Sequence, residues 1–251
     1  MKVDMKQEFN NNSIMIFLLE SILFVIIYST FSSVFDIIVG YRNETILVVK
    51  RILEFILNML YIFILHVSTH TDFKYNHTLN ISKTILSVVF VFSIIIFYES
   101  SIDVILSKYV TLGEDAASES GMFEYAVPLF IQTCITAPIA EELIVRGFLL
   151  KLISRKYSVN KGIIFSSLFF SMLHFDFLNT IFYVAVGVSL ALVYIKTNSI
   201  VNCIFIHGMI NFLAIMSYYR NIDITFNGVN IVLTIISVII AIVSYKLMNK
   251  V

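Results

Sequence analysis

Long unbroken apolar stretches alternate with short polar ones along the whole chain. They fall near Ile14–Gly40, Ile52–Val67, Thr84–Tyr98, Met122–Leu152, Gly162–Phe177, Thr180–Ile195, Ile200–Tyr218 and Ile224–Tyr245. Several are shorter than the roughly 20 residues a crossing helix needs, but their polar flanks add enough turns to reach about 30 Å at about 1.5 Å per residue. The runs of Ile, Leu, Val and Phe lack the strict in/out alternation of a membrane barrel, so helices are left as the way to satisfy the backbone in lipid. The pattern predicts an all-α fold, a polytopic transmembrane helical bundle of about eight spans. The first block is too long for a signal-peptide core and reads as a retained span. No connection is long enough for a soluble domain, and neither an internal repeat nor a low-complexity linker is visible.

Composition sharpens this picture. Of 251 residues, 59% are hydrophobic and 14% charged, against roughly 45–50% and about 25% for an ordinary soluble domain. Lys plus Arg and Asp plus Glu each total 17, so no net field favours nucleic acid, and no nucleic-acid partner is expected. Cys134 and Cys203 lie in apolar runs without disulfide-framework or metal-type spacing, which points to packing.

The basic residues suggest an orientation. Lys2, Lys6, Lys74, Lys83, Lys151, Arg155, Lys156, Lys161, Lys196, Lys246 and Lys250 fall on one side of an eight-span scheme, and Arg42, Lys50, Arg51, Lys108 and Arg220 on the other. The majority places both termini in the cytoplasm, with the Lys151–Lys161 connection as the strongest vote, although the first loop argues the other way. The polar connection around Ser101–Glu124 then faces outward and holds no interpretable motif. The wealth of Ile, Asn and Lys suggests an AT-rich bacterial source and hence a multi-pass protein of a bacterial cell membrane.

Against this background the polar residues at depth carry the chemistry. Pro138-Ile-Ala-Glu141-Glu142-Leu-Ile-Val-Arg146-Gly147 puts three ionisable groups in one apolar helix, each at about 2.5–3.5 kcal/mol on insertion scales. Glu142 and Arg146 can pair one turn apart, whereas Glu141 is turned about 100° away and is left for another partner. Pro128 and Pro138 are the only prolines; Pro138 removes a backbone bond and is expected to bend the helix just before the glutamates. His174 lies in the next block, and His207 and Asn211 share one face of a later one. Counted from the same membrane edge, Glu141 lies about 24 Å in, His174 about 20 Å, His207 about 14 Å and Asn211 about 20 Å.

Taken singly, each of these residues has a commoner structural explanation: a helix-stabilising pair, or interhelical glue. Together they supply a carboxylate, two imidazoles, an amide and an anchoring arginine, the inventory of a hydrolytic site. His66, His70 and His77 read as loop residues. Glu54 can pair with Lys50, and Glu20 reads as lining the bundle interior.

The ordered set Glu141-Glu142-x-x-x-Arg146, Phe170-x-x-x-His174 and His207-x-x-x-Asn211 resembles the three-motif signature of the CPBP family, the intramembrane proteases that include type II CAAX prenyl endopeptidases and bacterial Abi proteins. The likeness covers about Ile139–Asn211. It implies amino-terminal helices over 1–121 that resemble the family only in being hydrophobic, a catalytic core over 122–219 and a last helix over 220–251, in one integrated membrane domain. It further implies an endopeptidase acting on a membrane-associated peptide or protein, with Glu141 as the key carboxylate. Some bacterial members are linked to bacteriocin maturation or self-immunity.

Amide hydrolysis in a membrane needs a water, a base and oxyanion donors. In one scheme Glu141 is the base, aided by His174, Arg146 fixes Glu142, and His207 and Asn211 donate to the oxyanion. In the other, Glu141, His174 and His207 ligate a catalytic Zn²⁺ with one position left for water. The cofactor is thus Zn²⁺ or none, and the expected partners are membrane lipid and a peptide substrate. A different class of reading is a membrane immunity or peptide-binding protein that cleaves nothing. A secondary transporter fits less well, because paired broken helices in related halves are lacking.

Overall fold

The computed structural model describes residues 12–39, 44–69, 79–106, 126–174, 176–219 and 229–250. Among them run eight helices: α1 Ser13–Ile38, α2 Glu44–Ser68, α3 Ile81–Leu106, α4 Ala126–Lys156, α5 Val159–Leu173, α6 Thr180–Thr197, α7 Ile200–Tyr219 and α8 Ile231–Leu247. Each apolar block of the sequence yields one helix, and no strand occurs among the described residues. Five helices (α1, α3, α4, α6 and α7 over Ile200–Ser217) are long and apolar enough to cross a membrane. The apolar α5 and α8 have only 15 and 17 residues. Helix α2 has 25 but carries Lys50, Arg51 and Glu54 in its middle. Much of the connection around Ser101–Glu124 lies outside the described residues, as do Lys2, Lys6, Arg42, His70, Lys74, His77, Lys108 and Arg220.

Local chemistry sets the helix ends. Asn80 and Asn230 cap α3 and α8, their side chains accepting from Lys83 N at 3.0 Å and Leu233 N at 3.1 Å, which satisfies donors a helix start leaves orphaned. Asn198 stops α6 with φ 51°, a left-handed conformation that asparagine tolerates better than most residues. At Gly162 the chain turns so tightly from α4 into α5 that a Cβ would stand 2.0 Å from Ser154 Oγ and 2.9 Å from Leu150 O.

The chain divides into two compact units, Met1–Lys74 with Glu119–Gly162 and Tyr75–Ser118 with Ile163–Val251. In the first, α1 and α2 form an antiparallel hairpin. Its rungs are Ser68 Oγ donating to Glu20 Oε2 at 2.9 Å, a 2.6 Å hydrogen bond between Ser21 Oγ and Tyr61 Oη, a Phe24–Tyr61 stack at 4.2 Å and Lys50 Nζ on Asp36 Oδ1 at 2.6 Å. Glu20 thus sits inside the hairpin, as its sequence context suggests. Lys50 pairs with Glu54 at 3.8 Å, as its spacing suggests, but its closer contact is Asp36, and Arg51 also holds Glu54 at 2.8 Å. Phe17 stacks on Phe148 of α4 at 5.4 Å.

In the second unit α3 packs against α6, α7 and α8. Thr84 Oγ1 donates to Asn202 Oδ1 at 2.7 Å and Ser87 Oγ reaches Met248 Sδ at 3.2 Å, so α3 and α7 begin where α8 ends. Cys203 is buried, its thiol 3.6 Å from the carbonyls of Leu190 and Ser199; packing is its role here.

Candidate active site

Helix α4 answers its prolines with widened turns rather than a break. Its hydrogen bonding slips to the π pattern over Ile131–Thr136, returns to α over Ala137–Glu142, and slips again over Leu143–Leu150. Pro138 lacks the N–H that an α turn would use, and the π turn just before it absorbs that loss. Glu141 and Glu142 therefore sit on a short regular segment between two widened ones, a pattern frequent at functional sites.

Glu142 and Arg146 are fully buried, and Arg146 Nη1 donates to Glu142 Oε1 at 2.8 Å. Removing either partner would strand a charge in an apolar interior, so the pair locks the segment that carries Glu141. Glu141, one residue earlier, points its carboxylate off that axis by about 100°. These three residues belong to the first unit; His174, His207 and Asn211 belong to the second.

Within the second unit the two histidines flank one ring. Phe170, buried on α5, has His174 at 4.7 Å and His207 at 5.4 Å between centroids, both edge-on. His207 is buried, and Asn211 follows one turn later on α7. His174 sits just past the end of α5, and its Nδ1 lies 2.9 Å from Phe170 O. A carbonyl oxygen only accepts, so Nδ1 carries a proton, and in the neutral ring Nε2 presents its lone pair. That tautomer suits a base or a metal ligand, since a ligating imidazole usually donates its other N–H to a carbonyl or carboxylate.

Two neighbours of His174 were not singled out in the sequence as functional. Tyr183 stacks on the imidazole at 4.0 Å and 23°, closing the face that Phe170 leaves open. No spacing rule announces it, because it comes from the next helix through the 174–179 connection. Asp176 builds that connection: its Oδ1 accepts from the N–H groups of Leu178 and Asn179 at 3.1 Å each, and its Oδ2 accepts from Asn179 Nδ2 at 2.8 Å. The Asn179 side chain, then the two backbone N–H groups and nearby His174, hold the Asp176 carboxyl below the ordinary aspartate range. Ser171 Oγ donates to Thr180 O at 3.2 Å, tying α5 to the start of α6.

Comparison with known proteins follows the same stretch. No curated protein and no solved structure matches the chain. Residues 123–213 match the family model described as type II CAAX prenyl endopeptidase, Rce1-like. The match covers less than half of the chain but all three motifs, Glu141-Glu142-x-x-x-Arg146, Phe170-x-x-x-His174 and His207-x-x-x-Asn211. The segment built from α4 to α7 is therefore similar to the Rce1-like type II CAAX prenyl endopeptidases.

Proposed function

We propose that the protein is an intramembrane endopeptidase that hydrolyses a peptide bond in a membrane-associated peptide or protein. The observation that carries this reading is the fixed His174 tautomer inside a segment of an endopeptidase family. Glu141 takes a proton from the attacking water, assisted by His174 Nε2. Arg146 pairs with Glu142 and holds the α4 segment rigid. His207 and Asn211, on one face of α7, donate to the oxyanion of the tetrahedral intermediate.

The other reading of this chemistry is a Zn²⁺ enzyme, although no group of three His, Cys, Asp or Glu side chains that could hold a metal ion is found among the described residues. Glu141, His174 and His207 would hold it, and the Nδ1 contact of His174 is the support such a ligand needs. When bound, the ion would lower the pKa of a coordinated water. Assays before and after chelation, with metal content measured, separate the two chemistries. In this reading the protein works in a bacterial cell membrane with both termini cytoplasmic, and its substrate is a small secreted or signalling peptide, matured in a bacteriocin-like or self-immunity system.

The test compares parent, Glu141→Ala and His174→Ala on a membrane-embedded peptide, reading new termini by mass spectrometry. Both variants insert normally and lose cleavage. Immunity or another biological activity that persists in both variants favours instead a binding protein that cleaves nothing.

A further inference from the structure

His174 is held only in part by its own helix. It stands one residue past the end of α5, where the backbone turns away, and its ring is anchored through Nδ1 to Phe170 O at 2.9 Å. An anchor of this kind fixes one atom and lets the ring swing about it, so the direction of Nε2 must be set by packing. That packing comes from α6. Tyr183 lies on the imidazole at 4.0 Å between centroids with the planes 23° apart, and Phe170 meets it edge-on at 4.7 Å. The contacts around Tyr183 explain how a ring on one helix comes so near the end of another. Ser167 and Ser171 of α5 are small and buried, and they meet Gly187 and the carbonyl of Thr180 on α6, so the two backbones approach closely on either side of Tyr183. Tyr183 itself sits in the first turn of α6, its N–H donating to Asn179 O at 3.0 Å, and Asp176 pins Asn179 through both backbone and side-chain N–H groups. The ring is braced in turn: Phe182 meets it at 5.7 Å, and Tyr98, buried at the start of a π turn in α3, meets Phe182 at 5.3 Å, both edge-on.

We propose that Tyr183 is a positioning residue for His174: its ring face, together with the Nδ1 anchor, holds the imidazole in one orientation, so that Nε2 points in a fixed direction. One contact lies in the plane of the imidazole and the other on its face, and the two define an orientation that either alone would leave open. The role belongs to the ring of Tyr183 and not to its hydroxyl, because it is the ring face that meets the imidazole. A reacting group held in this way is preorganised, and a misplacement of about 1 Å costs about 10²-fold. This inference rests on His174 being a reacting group of the proposed peptidase.

The test uses the full chain in detergent, with Tyr183→Leu, Tyr183→Phe and, as a control on the same turn of α6, Ile181→Ala, whose parent side chain is exposed. Two readouts are taken: cleavage of a membrane-embedded peptide, and the rate at which diethyl pyrocarbonate modifies His174, by mass spectrometry. Tyr183→Leu is expected to lower kcat about tenfold or more at unchanged KM, and to speed modification of the loosened imidazole about threefold or more. Tyr183→Phe keeps the ring face and restores both readouts to within about twofold of the parent, and Ile181→Ala matches the parent in both. If Tyr183→Leu fails to insert, Tyr183→Met, of similar length and without a ring face, carries the test. Parent kcat in Tyr183→Leu, or an unchanged modification rate, overturns the inference. So does a loss in Tyr183→Phe equal to that in Tyr183→Leu, which would assign the effect to the hydroxyl. If the parent itself cleaves nothing, the peptidase reading falls and the modification rate alone decides whether Tyr183 positions His174.

Discussion

A carboxylate and a guanidinium one turn apart, with no exposed surface on either, leave a membrane helix little freedom. The Glu142–Arg146 contact of 2.8 Å offsets two desolvation penalties only while both partners are present. Arg146→Ala is expected to destabilise the protein by about 3–5 kcal/mol, seen as a lower midpoint of thermal unfolding in detergent. Replacing both residues with Leu restores most of that loss. A double variant that unfolds like Arg146→Ala would mean that the pair does more than cancel charge. Asp176 is governed by hydrogen bonds instead, from Asn179 above all. Its folded carboxyl titrates below the unfolded value of about 3.9, so its contribution is complete above that pH and fades as pH falls through the folded value. The gap in unfolding midpoint between parent and Asp176→Asn should be constant above about pH 4 and narrow in more acidic buffer. The first pair was legible in the sequence because an i,i+4 spacing survives translation into a helix. The Tyr183 stack on His174 was not, since it depends on how Asp176 and Asn179 turn the chain between helices.

Element boundaries were read well where apolarity alone decides them and less well where charge intrudes. Helix α1 departs from its apolar block by one residue at the start and two at the end, whereas α2 begins at Glu44, ahead of the expected Ile52, because Lys50 finds Asp36 on α1 and Arg51 finds Glu54 within α2. The proline effect was anticipated as a bend; it takes the form of π turns on either side of the glutamates. A pattern read at 3.6 residues per turn cannot foresee a local change of that period. Close helix approach was equally hidden. A Cβ on Gly187 of α6 would stand 3.0 Å from Ser167 Cβ and 3.1 Å from its Cα on α5. Small residues that let backbones touch are the normal currency of membrane helix packing. Gly187→Ala should therefore push α6 from α5, lowering stability by about 1–3 kcal/mol and reducing turnover, because α5 presents His174 and α6 presents Tyr183. Thermal unfolding and cleavage by one preparation measure both. An unchanged midpoint would mean that Ser167 gives way at no cost.

At the scale of the whole molecule, the distribution of lysines becomes a geometric statement inside the second unit. Lys196 Nζ donates to Asn249 Oδ1 at 2.7 Å and lies 4.3 Å from the Tyr245 ring centroid, so α6 and α8 end together. The contacts of Thr84 and Ser87 put the start of α3, with Lys83, at that same end. At the opposite end Ser100 meets Thr234 at 3.1 Å and Tyr98 meets Phe182 at 5.3 Å, where no lysine or arginine lies among the described residues of this unit. Sequence counting alone could list Lys83, Lys196 and Lys246 as same-sided only by assuming the number of crossings; the packing reaches the same grouping without that assumption. A bundle with one basic end inserts with that end in the cytoplasm. A green fluorescent protein fused after Val251 should therefore fluoresce in a bacterial host, and alkaline phosphatase fused at the same point should stay inactive. Active phosphatase with a dark fluorescent fusion would invert the orientation. It would leave Phe170, His174 and His207 where they are, since their contacts depend on helix packing rather than on which side faces the cell.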